Sequence, residues 1–235
     1  MNSSFKIAGL KVEVTYKEIK NVHLSVKPPD GRVLMVAPHG TRPESVRAYA
    51  ASKLPWIHAK RIKLAAQRRE SLRQYVSRES HMLWGKRFLL RVVESDSRRE
   101  VTRDHRTIVM TVPAATTREK RHQLMSAWHR QLLHEAIPPL ILKWEKRLGV
   151  EVHGYALQQM KTKWGSCNRN DRRIRINTDL VKKPKELLEY VVIHEMLHLI
   201  APTHSEKFAE LLTAHYPSWR EARAELNSLP ITSLD

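Results

Sequence analysis

The chain has 235 residues, of which 41% are hydrophobic and 28% are charged, so it can bury a core in one domain or in two small ones. An excess of 42 Lys and Arg over 24 Asp and Glu gives a net charge of +18, which favours anionic partners. Seven Gly and one Cys exclude collagen-like chains and cysteine-rich metal ribbons, and no apolar run reaches the roughly 18 residues of a membrane span.

The first part of the chain predicts strands followed by helices. Apolar residues typical of the strands of a β-meander occur in three segments, 11–16, 22–26 and 32–37. A helical spacing then begins at Pro43 and runs to about Arg73, and Pro55 is expected to divide it into two helices. The segment before these elements lacks the apolar core of a signal peptide, so we expect no secretory signal and a cytoplasmic location.

A second group of strands is predicted at 82–84, 88–93 and 108–112, with the charged segment 96–106 as a hairpin loop. The pattern turns helical after Pro113 and stays so to about Leu148, although two consecutive prolines, 138 and 139, should kink or interrupt this helix. We therefore predict a boundary near residue 113. It separates a basic, β-rich region with a helical insert, residues 1–113, from a second domain, residues 114–235.

The second domain mixes strands and helices, which predicts the α+β class. Strand patterns occur at 155–157 and 173–177, and the segment 165–171 between them is rich in turn-forming residues. A helix is predicted from Pro184 to about Ile200, and another from His204 to about Tyr216.

The helix after Pro184 carries the motif H-E-x-x-H at His194, Glu195 and His198. Helical residues four apart project from nearly the same face, so both imidazoles can reach one metal ion. Glu195 is offset by one position, which suits a general base for water activated by the metal. Exposed histidines beside a solvated carboxylate would be the ordinary alternative. The apolar flank Val191-Val192-Ile193 instead predicts a mostly buried helix, where unpaired polar groups are costly.

A catalytic zinc site needs three protein ligands and an open position, and His204 is the candidate for the third ligand. Pro202 should stop the first helix, and the segment 203–206 fits a capping box that starts the next. His204 would then lie on the first turn of the new helix and face back towards the pair. The sequence therefore predicts one Zn²⁺ per chain, bound by His194, His198 and His204.

Two separated segments, 189–208 around this motif and 163–168 (KWGSCN), resemble the YgjP-like and SprT-like zinc metallopeptidases. The resemblance is close over about residues 155–230 and looser before them. It implies zinc on the three histidines, Glu195 as general base and a gluzincin-like minimal metallopeptidase domain. It also implies that a strand beside the metal helix borders the cleft. Here that strand maps to 173–177, and we expect it to be an edge strand that could pair with an extended substrate.

The resemblance leaves two substrate classes open, because some relatives named for peptidase homology are described as UTP pyrophosphatases. A polypeptide and an anionic nucleotide could use the same zinc and base, but a phosphoanhydride also needs cations around its phosphates. Trp164, in the turn before the strand, is a further candidate for lining the site, although core packing is its ordinary interpretation. The candidate cations are Lys161, Lys163, Arg173 and Arg175.

A third interpretation is a nucleic-acid-binding protein with a structural metal, since the basic surface could make nonspecific contact with nucleic acid. The sequence has no zinc-finger, RRM or basic-zipper signature, and structural zinc normally has four protein ligands, so an enzyme is favoured. No membrane partner is predicted. Cys167 has no evident neighbouring base, and we assign it no role as nucleophile or ligand.

Overall fold

The computed structural model describes residues 2–27, 30–66, 72–96, 98–160 and 162–228. These residues form two compact units, the first within Met1–Glu70 and the second within Ser71–Leu229. Both units combine helices with small sheets, so the predicted α+β class is confirmed. In the described residues, no helix has the length and apolar character needed to cross a membrane.

The first unit is a four-stranded sheet with two helices. Its strands follow the order β1-β2-β4-β3, and β2 and β4 are parallel, so the predicted meander is wrong. The two central strands carry the fully buried valines and methionine of this core, whereas β3 buries only Val26. Burial therefore places β3 at the edge. The elements are β1 (Asn2–Ile7), β2 (Leu10–Lys17), β3 (His23–Lys27), β4 (Arg32–Pro38), α1 (Pro43–Ser52) and α2 (Leu54–Ala66).

The predicted division of the first helical segment is confirmed, but it falls two residues earlier. The break is at Lys53, and Pro55 lies in the first turn of α2, where a missing backbone N–H costs no helical hydrogen bond. The part of this segment predicted beyond Ala66 includes residues 67–71, which lie outside the described residues.

The second unit contains two sheets and four helices among its described residues. One sheet has the order β5-β6-β8-β7, and the other has the order β10-β11-β9. A 3-10 helix, Thr178–Lys182, leads from the second sheet into α4. The elements are β5 (Ser80–Leu83), β6 (Lys86–Glu94), β7 (Glu100–Arg103), β8 (Thr107–Val112), α3 (Arg118–Leu148), β9 (Gly154–Gln158), β10 (Gly165–Asn168), β11 (Arg173–Asn177), α4 (Lys185–Leu197), α5 (Glu206–His215) and α6 (Trp219–Ser228).

The division between the units falls at residues 70 and 71 and not near residue 113. The sheet β5–β8, which the sequence assigned to the N-terminal region, shares one hydrophobic core with α3 and α4. The turn between β5 and β6 is also hydrogen-bonded to the 3-10 helix, because Trp84 N–H donates to Val181 O at 2.8 Å. Strand β7 lies inside the segment predicted as a hairpin loop.

Helix α3 runs without a break through Pro138 and Pro139, so the predicted interruption is wrong. Both prolines are exposed, and so are His134 and Glu135, whose carbonyls lose their helical donors. Water can satisfy those carbonyls on the solvent side while the opposite face stays packed. Gly149 ends the helix in the left-handed conformation, with φ of 64°.

The three-stranded sheet differs from the sequence expectation in a way that matters for the site. Strand β11 is central, because it pairs with β10 on one side and with β9 on the other. It is therefore not the predicted edge strand. The edge strand that packs on α4 is β10, in the segment that the sequence predicted as a turn.

Helix α4 is buried on nearly all sides, as its apolar sequence predicts. Nine of its residues are buried, and among them is the carboxylate residue Glu195. A helix that is apolar all round lies in the interior of a protein. The helix packs against β10, β11, α3, α5 and α6, so the core fixes its position from several directions.

His129 on α3 is a buried histidine without a hydrogen-bond partner for Nε2 among the described residues. Burial lowers the pKa of His129 to about 3, with smaller contributions from the charges of Lys182, His81 and His122. The unfolded chain binds a proton at this histidine below about pH 6.5, whereas the folded chain does not until about pH 3. The stability of the second unit therefore falls as the pH decreases through this window.

Replacement of His129 by Leu removes this titration without leaving a polar group unpaired. Between pH 7 and pH 5, the wild-type chain should lose about 2 kcal/mol more unfolding free energy than His129→Leu. Denaturant titration followed by tryptophan fluorescence at the two pH values measures the difference. As a control, His105→Leu at a fully exposed site should behave as the wild type does, and an equal pH dependence in His129→Leu would contradict the assignment.

Candidate metal centre

Two histidines of the metal centre lie at the end of α4, His194 in its last turn and His198 as its C-cap residue with helical backbone angles. The ring centroids of His194 and His198 are 5.2 Å apart, and the rings are nearly perpendicular. Helical spacing alone brings residues four apart onto one face, and the buried surroundings of α4 fix the helix that carries them.

His204 reaches the pair from the connection between α4 and α5. Ala201 N–H donates to Leu197 O at 2.9 Å where the chain turns after α4, and Ser205 is the N-cap of α5. His204 therefore lies in the loop just before α5 and not on its first turn. The predicted capping box at 203–206 is wrong, because the N-cap is Ser205 and not Thr203, and Ser205 makes no side-chain capping bond. The expected reversal is nevertheless present, since the His204 ring centroid lies 4.8 Å from that of His198.

The three histidines fit a single metal ion. One ligand atom from each residue lies within 4.8 Å of the others, and in the described part of the chain no other group of three such side chains was found. The Nε2 atoms of His194 and His204 are 3.0 Å apart. Two nitrogens bound tetrahedrally to zinc at 2.0–2.1 Å would be about 3.3 Å apart, so the observed arrangement needs only a small adjustment.

The protonation states of two of these histidines also suit a ligand role. Nδ1–H of His198 donates to Ala201 O at 3.2 Å, which leaves the Nε2 lone pair for the metal. Burial, together with the charges of His198 and His204, lowers the pKa of His194 to about 3. His194 is therefore neutral at physiological pH and has no proton to lose on binding a cation.

Phe208 holds the three imidazoles from one side, and sequence reasoning did not single it out. Its buried ring lies 5.0, 4.8 and 5.0 Å from the ring centroids of His194, His198 and His204, and it is stacked on His198. Packing against an aromatic ring restricts the orientation of each imidazole. The sequence feature that could have indicated this contact is the position of Phe208, four residues after His204 and within the predicted helix.

Glu195 is buried beside the edge strand, with 6% of its surface exposed. Burial raises the pKa of its carboxyl group to about 7, and the positive charge of Lys163 acts in the opposite direction. Gly165 on β10 lies next to this side chain, and it has no side chain of its own between the strand and the carboxylate. Glu195 is thus a carboxyl group that can exchange a proton near neutral pH.

The segment before β10 brings Lys163 and Trp164 near the site in different ways. Lys163 is exposed but close enough for its charge to act on Glu195. Trp164 is half-buried and packs on the hydrophobic core, with the Lys183 ammonium 5.7 Å from its ring centroid. The contacts of Trp164 therefore agree with the core-packing interpretation.

Two further predicted substrate cations, Arg173 and Arg175, are not brought to the metal centre. Arg173 and Arg175 are exposed and alternate with Ile174 and Ile176, which are fully buried in the core on the side of α4. The two arginines consequently project from the opposite face of the sheet. Lys161 lies outside the described residues.

Two arginines that sequence reasoning missed have charges that act on the histidine cluster. The charge of Arg223 on α6 disfavours protonation of His194, and that of Arg169 does the same at His198. Arg169 is the residue that follows β10, and Arg223 is far from the motif in sequence, so only the fold brings them together.

Burial, with a contribution from the charge of Glu195, raises the pKa of Cys167 to about 11, which keeps this thiol protonated and agrees with its lack of a nucleophilic role.

Comparison with known proteins yields a family match over most of the chain. A model of the YgjP-like family, described as a metallopeptidase domain, matches residues 20–229. Among solved structures, the crystal structure of the metallopeptidase zymogen jannalysin of Methanocaldococcus jannaschii is similar at 20% identity. That match has a TM-score of 0.30 and covers 42% of this chain and 92% of the other. No curated protein sequence matches the chain.

Removal of the third imidazole tests the cluster as a metal site. Loss of a residue that only supports a ligand costs 10–100-fold in metal affinity, so His204→Ala should weaken zinc binding by at least about 100-fold. Competition with a chromophoric chelator measures the affinity. The control is His153→Ala, at a half-exposed histidine before β9, which should bind zinc as the wild type does. If His204→Ala bound zinc with unchanged affinity, the third ligand would have to be a residue other than His204.

Proposed function

The chain belongs to the YgjP-like metallopeptidase family, and from that premise we propose that it is a zinc-dependent peptidase acting on extended polypeptide. The observation that carries the proposal is the convergence of three imidazoles beside a buried carboxylate and the edge strand of a sheet. Each of these three parts has a distinct task in peptide hydrolysis.

His194, His198 and His204 would hold the zinc ion, and three protein ligands leave a position open for water or substrate. A zinc ion held there supplies Lewis-acid activation of a water molecule and of the scissile carbonyl. The histidines contribute a fixed geometry, because α4 is buried, Ala201 O orients His198 and Phe208 packs on all three rings.

Glu195 would act as the general base and then as the general acid. Its pKa of about 7 lies close to the operating pH, where a carboxylate can accept a proton from water and return it to the leaving amine. Burial of this residue, which is 6% exposed, makes the carboxylate a stronger base than an exposed one. A pKa of about 7 still lies far enough below that of an amine for the protonated carboxyl to donate to the leaving group.

The outer edge of β10 would bind the substrate backbone. Asn177 N–H donates to Trp164 O at 2.9 Å, and the register pairs Ser166 with Arg175. Hydrogen-bonded pairs alternate along an antiparallel ladder, so the backbone groups of Gly165 and Cys167 point away from β11. An extended peptide could add to this edge as a further strand, directly beside Glu195.

A second candidate is hydrolysis of a nucleoside triphosphate such as UTP at the same centre. The observation in its favour is that the charges of Lys163, Arg169 and Arg223 act on Glu195, His198 and His194, and cations stabilise phosphates. The exposed face that carries Arg173 and Arg175 gives it no support. We favour the peptidase because a nucleotide makes no use of a strand edge.

Replacement of Glu195 by Gln keeps the size of the side chain and removes the base. Turnover should fall on the order of 10³-fold, whereas zinc stays at one ion per chain by elemental analysis. The purified zinc form is assayed in parallel with an unfolded polypeptide and with UTP, and hydrolysis of the polypeptide alone is the expected outcome. Hydrolysis of UTP alone would favour the nucleoside triphosphate hydrolase over the peptidase. Full activity of Glu195→Gln would show that Glu195 is not the general base.

The proposed backbone pairing can be tested at one N–H group. Cys167→Pro removes an N–H that points away from β11, a position where proline is tolerated in an edge strand. We expect kcat/KM for a long polypeptide to fall at least about 10-fold. Loss of one hydrogen bond between uncharged backbone groups costs roughly 1 kcal/mol, and the proline ring also obstructs the approach of the substrate backbone. The matched control Cys167→Ala keeps the N–H and should retain activity. Equal kinetics in the two variants would argue against pairing at this edge.

A further inference from the structure

Gly165 is the exception among the glycines of this chain. Six of the seven glycines have positive φ values, from 64° to 158°. Glycine is favoured at these positions because a side chain would strain such a backbone conformation. Gly165 has no positive φ and lies in strand β10, where glycine weakens a strand and another residue would be expected. A reason other than the backbone must account for glycine here.

The surroundings of Gly165 provide that reason. A Cβ atom added to Gly165 would lie 2.6 Å from Glu195 Cγ, 2.6 Å from Glu195 Oε1 and 2.9 Å from Glu195 Cδ. Carbon atoms in contact are normally about 3.5–4.0 Å apart. The three nearest atoms all belong to Glu195, and they include Cγ, so a rotation of the carboxylate alone would not relieve the overlap.

Neither side of this contact can easily move. Asn177, which is 3% exposed, fixes the segment before β10, because its Nδ2 donates to Met160 O and to Lys163 O, both at 2.8 Å. Its backbone N–H donates to Trp164 O. On the other side, Glu195 is buried on a helix whose neighbouring residues are also buried. A side chain at position 165 must therefore displace the Glu195 side chain or separate α4 from β10.

We propose that Gly165 is a positioning residue for Glu195: the space left by its missing side chain holds the carboxylate against the face of β10 that packs on α4. The geometric part of this proposal stands on the contact alone. Its consequence for turnover rests on the function proposed above.

The contact is tested first without any activity assay, by a double-mutant cycle on the metal-free full-length chain. Gly165→Ala should lower the thermal midpoint by roughly 3–10 °C, because overpacking in a core is destabilising. In a Glu195→Ala background, where the overlapping atoms are gone, the same substitution should change the midpoint by less than about 2 °C. Tryptophan fluorescence is a suitable probe, because five of the six tryptophans lie in the second unit.

An equal decrease in both backgrounds would overturn the proposal, since glycine would then be needed by the strand itself. Should Gly165→Ala fail to fold, the proposal requires that Glu195→Ala restore a folded chain, and failure of that rescue would also overturn it. Because this cycle uses no substrate, its outcome is independent of whether the chain is a peptidase.

The positioning role is tested next on the zinc-loaded enzyme with the substrate that the wild type hydrolyses. Gly165→Ala should lower kcat at least about 10-fold, with KM changed less than about 2-fold and zinc retained at one ion per chain. The matched control is Ser166→Ala, whose side chain lies on the other face of the strand, and it should keep the wild-type kcat. A kcat for Gly165→Ala equal to that of the wild type would remove the positioning role, even if the cycle showed coupling.

Discussion

The packing of α4 on the edge strand β10 is the constraint on which the metal centre depends. Helix α4 with its C-cap residue supplies two of the three imidazoles and the carboxylate, and β10 supplies both the surface beneath the carboxylate and the backbone edge of the sheet. Asn177 fixes the start of β10 through three hydrogen bonds. The distance between helix and strand therefore sets, at the same time, where the carboxylate lies and where an extended chain could bind.

Burial gives the ionisable groups of this site opposite but compatible properties. It raises the pKa of Glu195 to about 7 and lowers that of His194 to about 3, since an apolar environment disfavours a negative carboxylate and a positive imidazole alike. A hydrolytic metal centre needs neutral imidazoles and a carboxyl group that titrates near neutrality. One physical cause, the apolar surroundings of α4, produces both.

The chemistry of the site was predictable from the sequence because it depends on local spacing. The helical motif and the short reversal to His204 need only a few residues, and the cluster is present in the fold. The strand order was not predictable, because the parallel pairing of β11 with β9 and of β2 with β4 depends on contacts distant in sequence. Arg223 and Gly165 were missed for the same reason: the first approaches His194 only through α6 packing, and the second has meaning only beside Glu195.

The placement of His204 in a loop divides the metal centre into two parts of different rigidity. His194 lies in the last turn of a buried helix and His198 is the C-cap residue of that helix, whereas His204 is exposed and belongs to the connection 199–205. The release of a cation held by the three histidines would therefore depend on this connection. Substitutions there can alter how readily chelators extract the ion while the pair on the helix keeps its alignment.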